Sequence, residues 1–150
     1  PSVMQAHETR FNSLFHPQWT EAMTLQISRS NTKYFRWHDS GDIQNLQHLL
    51  NIVKIAEALP MVKFWIPTRE KKIVHQFNDT FGAFPDNLCV RVSATMIDGD
   101  LPQGFATTSS VHEFDAAKGT TCEAYKNNNK CGDCRKCWDN TVVNVSYKKH

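Results

Sequence analysis

The sequence predicts an α/β protein in which parallel strand–helix repeats form a partial barrel or an open sheet, followed by a C-terminal cysteine-rich iron–sulfur loop. Three observations carry that expectation. Apolar or aromatic runs beginning at Lys33, Met61 and Leu88 start 28 and 27 residues apart, the spacing of strand–helix units whose crossovers make neighbouring strands parallel. Segments of helical period lie between them. Beyond Asp98-Gly99 the pattern gives way to polar sequence that holds four of the five cysteines.

Taken in order, residues 1–15 set Val3, Met4, Phe11, Leu14 and Phe15 among polar residues in a helix-like pattern. Pro17 suits a helix first turn, and Trp19, Ala22, Met23 and Ile27 predict a second helix near 17–28. Ser28 to Thr32 reads as a loop, and the aromatic run Lys33 to His38 as a strand. Asp39-Ser40-Gly41-Asp42 forms a turn, with Asp42 the expected N-cap of a helix over 43–59. Leu46, Leu49, Leu50, Val53 and Ala56 recur on one face of that helix, and Pro60 stops it. Met61 to Ile66 reads as a buried strand. A helix follows from Glu70 to Phe81, with Ile73, Val74, Phe77 and Phe81 at helical spacing and Gly82 as its stop. From Leu88 to Ile97, Leu88, Val90, Val92 and Ala94 alternate with Cys89, Arg91, Ser93 and Thr95, a strand with two different faces. A short strand is expected within 104–112 and a last one over 141–147, with a basic tail at 148–150. Residues 1–150 read as a single α/β domain, with the cysteine-rich segment 115–140 inside it.

Composition excludes several classes. The chain has 150 residues, 40% hydrophobic and 21% charged, with a net charge of +2 and a mean hydropathy of −0.50. No apolar stretch is long enough to span a bilayer, and no secretory signal pattern is present. The charge balance lacks the strongly basic profile of a dedicated DNA-coating domain, which argues against that class and leaves nucleic acid open only as a partner of another kind. The chain opens at Pro1 without an initiator methionine, which reads as processing, trimming or a piece of a longer reading frame. Five cysteines without a signal pattern argue against a secreted disulfide framework.

Cys122, Cys131, Cys134 and Cys137 form C-x8-C-x2-C-x2-C. A structural zinc site usually takes two separate C-x2-C knuckles, but here the pairs overlap at Cys134. Thiolates at successive three-residue steps instead suit a 4Fe-4S cluster, as in the ferredoxin run. Gly132 gives that wrap conformational room. Lys126, Lys130, Arg135 and Lys136 would offset the negative charge of four thiolates, and Trp138 would shield the site from water. Zinc, and free or bridged thiols, stay open as alternatives.

Other residues form a candidate cavity. Arg36, Asp39 and Asp42 lie where the first strand runs into its helix, Thr68 at the equivalent place after the second, and Arg91 and Ser93 on the polar face of the third. Ligands gather at the carboxyl ends of parallel strands. A capped turn and a satisfied structural network are the plainer readings of the same residues. Cys89 reads as a small buried hydrophobe. No HExxH, P-loop, GxGxxG or nucleophile elbow is present, so no catalytic constellation stands out.

Together, FRWHDSGDIQ, FWIPTREK, LCVRVSATMIDG, KCGDCRKCWD and the ending VNVSYKKH resemble the bacteriophage gene product 88 family, from about residue 33 to the end. CGDCRKCW and the VSYKKH ending are the most distinctive part. The SGD and TRE segments resemble strand–turn units of radical-SAM-type partial barrels. The resemblance implies an iron–sulfur cluster on Cys122, Cys131, Cys134 and Cys137, and strand ends around Asp39, Asp42, Thr68 and Ser93 facing a common cavity. It also implies a phage-encoded protein working in the cytoplasm of the infected host. The expected role is electron transfer or redox sensing with a host redox partner. Two alternatives are a binding module stapled by zinc or a structural cluster, presenting 115–140 to a host protein or nucleic acid, and a radical-SAM-like enzyme remnant with an auxiliary cluster. Longer members carry further cysteines upstream, so independent catalysis is not expected.

Overall fold

The three equally spaced runs become adjacent strands. A computed structural model describes residues 2–38, 41–114 and 117–149. Its strands are β1 (Tyr34–Arg36), β2 (Lys63–Thr68), β3 (Leu88–Ile97), β4 (Thr108–His112), β5 (Thr120–Thr121) and β6 (Asn144–Lys148). They form one six-stranded sheet in the order β1-β2-β3-β4-β6-β5, with every pairing parallel. The sheet curls into an open half-barrel, with β1 and β5 at its two edges.

Register assigns the two faces. Phe35, Phe64 and Leu88 lie in one row, as do Ile66 and Val90. Their face packs against α2 (Trp19–Arg29), α3 (Leu46–Ala58) and α4 (Lys71–Phe81). Parallel strands joined by crossovers of one hand place the connecting helices on one side, which accounts for α3 and α4, and α2, which precedes β1, packs on the same face. Its core joins Phe64, Ile66, Leu88, Val90 and Val92 to Trp19, Ile27, Leu49, Ile52, Val53, Ile55, Ala56, Val74 and Phe77. Ile52 and Ile55 widen the buried stripe of α3 beyond the face read from the sequence. Phe81 stays exposed at the end of α4, where Gly82 caps the helix at φ +84°. The N-terminal α1 (Val3–Ser13) buries none of its side chains.

Boundaries shift by a few residues from those expected: β1 keeps only Tyr34–Arg36, β2 runs on to Thr68, and α3 and β6 each start three residues late. Asp42 is not the N-cap of α3. Asn45 takes that place, its side chain accepting from the His48 N–H at 2.8 Å, and α3 begins at Leu46. Pro17 falls before the α2 N-cap, Gln18, rather than inside the first turn. A long-range contact closes the far end of α3. The Asn87 side-chain amide donates to the carbonyls of Ala56, Leu59 and Val62 at 2.8, 3.2 and 3.0 Å. Those carbonyls belong to the helix end and to the turn into β2, so one amide satisfies groups the helix leaves open.

The helix-side core stops at β3. Over β4 and β6, Thr108, Ser110, His112, Asn144 and Ser146 are buried and bond to one another. Asn144 also donates to the Lys118 carbonyl, and Lys118 reaches the Gly99 carbonyl at 2.9 Å, so this ladder is tied to the loops beside it. Each buried polar group finds its partner within the ladder or those loops.

Candidate functional site

The opposite face of the sheet carries the cysteine segment. Trp65 lies in register with Arg36 and with Cys89, Pro67 with Arg91, and Ser93 with Ser109, so these residues line that face. Thr120–Thr121 adds β5 to the sheet edge. Two single 3-10 turns, Ala124–Lys126 and Lys136–Trp138, then fold the chain over the face. Between the turns, Asn128, Asn129 and Gly132 have φ of 49°, 59° and 53°. These left-handed residues allow the tight reversals that return the chain to the sheet.

Arg91 fixes the returning segment. It is wholly buried, with no carboxylate among its hydrogen-bond partners, and its guanidinium meets only main-chain oxygens. Nε donates to Cys137 at 3.0 Å, Nη1 to Thr108 and Val142 at 3.3 and 2.7 Å, and Nη2 to Lys136 and Asp139 at 2.9 and 2.8 Å. Five donors thus meet five acceptors, the full capacity of the group. Four of the acceptors belong to residues 136–142, the last turn of the cysteine segment and its lead into β6.

The segment encloses a cavity of about 500 Å³ lined by all four clustered cysteines. Cys137 is buried, Cys122 half-buried, and Cys131 and Cys134 are exposed; all are free thiols. Beneath them, Trp65, Cys137 and Val145 form a small apolar cluster, with Cys122, Trp138, Val142 and Tyr147 packed against it. Trp138 meets Trp65 and Tyr34 edge-on, and its indole N–H donates to the Phe35 carbonyl at 2.9 Å. Trp138 thereby forms part of the cavity wall, backed by Trp65 and Tyr34.

Burial pushes the Cys137 thiol up to about 11, while the Tyr147 hydroxyl 3.1 Å away pulls the other way. Burial likewise raises the Tyr147 phenol above its ordinary range. Lys126, Lys130, Arg135 and Lys136 all line the cavity. Lys126 pairs with Glu123 at 2.9 Å, and Arg135 donates to the carbonyls of Gly132 and Cys134 while lying over the Tyr34 ring. Among the described residues, no three His, Cys, Asp or Glu side chains converge as ligands of one ion. The donor set is instead spread around a space larger than an ion needs. Four thiols around one cavity are the donor set that either a thiolate-held cluster or a zinc ion would use.

The other sequence-predicted residues separate into three places. Arg36 and Ser93 share a groove with Cys122, Cys131 and Cys137. Asp42 and Thr68 meet at the ends of β1 and β2 instead. Asp42 accepts from the Thr68 hydroxyl at 2.6 Å, from the Arg69 N–H at 2.8 Å and from the Ile43 N–H at 2.7 Å. Arg91 reaches neither group and serves the cysteine segment. Asp39 lies outside the described residues. Cys89 is buried away from the four, its thiol 3.9 Å from the Thr107 hydroxyl and raised by burial. Of the groove's further residues, Arg69 is legible in the sequence beside Thr68 at the second strand end and Lys148 in the basic tail, while Ser109 and Tyr125 escaped the sequence reading. The polar alternation of β3 continued into β4 would have found Ser109.

Beside Asp42, burial holds His48 down to about 4, aided by neighbouring His38 and opposed by Asp42. The two imidazole centroids are 5.3 Å apart, and His38 is lowered as well, by burial against the pull of Asp42.

A parallel half-barrel with helices on one face and a thiol-lined cavity on the other is the class these features define. The chain belongs to the gene product 88 family, which it matches over residues 1–140. That match takes in the first two helices, which the resemblance left out, and CGDCRKCW. It stops short of the VSYKKH ending. No curated protein and no solved structure matches the chain. Among the described residues no helix is long and apolar enough to cross a membrane.

Proposed function

We propose that Cys122, Cys131, Cys134 and Cys137 hold a 4Fe-4S cluster, and that the protein serves electron transfer or redox sensing in the phage-infected cell, with a host redox protein as partner. The observation that carries this reading is the gathering of all four free thiols around one cavity, backed by Trp65 and Trp138. When bound, such a cluster exchanges one electron at a time, with a potential set by its hydrogen bonds, charge and exposure to water. The chain's own contribution is positional. Arg91 locks the main chain on both sides of Cys137, the aromatic wall excludes water from one flank, and the surrounding lysines and Arg135 offset thiolate charge. Those cations would also favour an acidic partner surface.

Protein purified without oxygen should be brown, with iron and acid-labile sulfide in stoichiometric amounts and a paramagnetic signal that appears and disappears on reduction and reoxidation. Colourless protein carrying zinc would replace this reading with a metal-stapled binding module. A bound cluster inert to reductant would leave it structural.

A further inference from the structure

Next to the cysteine cavity runs a groove of about 450 Å³, and Cys122, Cys131 and Cys137 are lined along both. The groove holds Arg36, Arg69 and Lys148, and among the described residues no Asp or Glu lines it. None of these three cations enters an ion pair among the described residues. Two of them rest on aromatic faces instead, Arg36 over Trp65 at 5.0 Å and Lys148 over Tyr125 at 5.3 Å. An aromatic ring holds a cation in place without neutralising it. Strand register adds hydroxyls on the sheet: Ser93 and Ser109 face each other with their oxygens 3.0 Å apart. Such a pair uses one hydroxyl proton and leaves the other free to donate. The indole N–H of Trp65, a residue only 7% exposed, has no partner.

We propose that this groove binds a small organic anion through a phosphate or carboxylate group, placing it beside the cysteine quartet. Arg36 and Arg69 supply planar forks suited to an oxyanion, Lys148 a third positive charge, and Ser93–Ser109 a neutral donor at the groove floor. The site uses groove residues alone and does not need a metal.

The test is calorimetric titration of the full chain with pyrophosphate and with citrate. It is done on reduced, chelator-treated protein and again on protein reconstituted with iron and sulfide, so that failure of the groove and failure of the cluster read out separately. Saturable binding of either probe is expected, the preferred one telling phosphate from carboxylate. Arg36→Ala and Arg69→Ala should each weaken it at least about tenfold. Ser93→Ala, a change too small to disturb the sheet, should weaken it about threefold, and Lys54→Ala, at an exposed position of α3 outside the groove, should leave it unchanged. The proposal is overturned if neither probe binds up to about 10 mM, or if Lys54→Ala weakens binding as much as the groove variants do.

Discussion

Arg91 and Cys137 are 46 positions apart, yet the Arg91 Nε donates to the Cys137 carbonyl at 3.0 Å from a wholly buried side chain. The contact joins the middle strand of the sheet to the last cysteine of the loop. It makes the loop's shape depend on a single guanidinium.

Replacing that group should therefore loosen the loop before the sheet. Arg91→Met removes five hydrogen bonds to main-chain oxygens, of which only those of Lys136 and Asp139 also accept from a loop N–H, a loss of at least about 3 kcal/mol. Arg91→Lys has too few donors in the wrong geometry and should recover only part of it. Urea unfolding gives the energy, and limited proteolysis should show cleavage first within residues 120–142. Equal protection of that segment in Arg91→Met and parent protein would remove the anchoring role.

The cysteines should divide sharply under substitution. Cys137→Ser, at the buried wall of the cavity, should lose nearly all bound iron. Cys89→Ser should keep the iron content and absorption spectrum, because its thiol lies on the sheet beside Thr107, away from the four. Iron analysis with visible spectra decides it, and retention of iron by Cys137→Ser would sink the ligand assignment.

Asp42 and Thr68 join the ends of the first two strands, so either substitution should cost stability without touching cluster content. Thr68→Val removes one donor to a carboxylate and should cost about 1.5–3 kcal/mol. Asp42→Ala releases three donors at once and should cost more. Thermal unfolding of the two variants beside the parent measures this, and a Thr68→Val protein as stable as the parent would contradict it.

Acid should weaken the fold through His48. Its folded value lies below the ordinary histidine value, at about 4 against 6.5. Above 6.5 the imidazole is neutral folded or unfolded, and stability is at its full level. As pH falls from 6.5 towards 4, the unfolded chain takes up the proton first and stability declines. By pH 5 the loss should be about 2 kcal/mol. His38, lowered in the same direction, adds to it. Urea unfolding at pH 7 and pH 5 should show the loss, and His48→Phe should shrink it. An unchanged difference in His48→Phe would assign the acid sensitivity elsewhere.

The helix-and-strand grammar was readable because it rests on local period. The even spacing of Lys33, Met61 and Leu88 anticipated parallel neighbours, and the two-faced alternation of β3 separated Val90 and Val92 from Arg91 and Ser93. The contacts hardest to read were long-range. Nothing near Asp42 announces that its oxygens turn to Thr68 and Arg69 rather than cap α3. Nothing near Asn87 announces three carbonyls from 25 to 31 positions earlier. Arg91 was visible as a polar residue on an inner face, but its five acceptors come from segments that meet only after folding. The cysteine spacing carried the expectation that the four thiols share one site, and folding adds the cavity that all four line.

The half-barrel does not close, so its borders matter for colloidal behaviour. One border strand has three residues and the other two. Each therefore exposes so few unsatisfied amides and carbonyls that a stray extended chain gains little by adding itself to the stack. An unsealed sheet is in this way kept from seeding fibrils or sticking edge-on to its own copies, with no need for proline or a row of guarding charges at the rim.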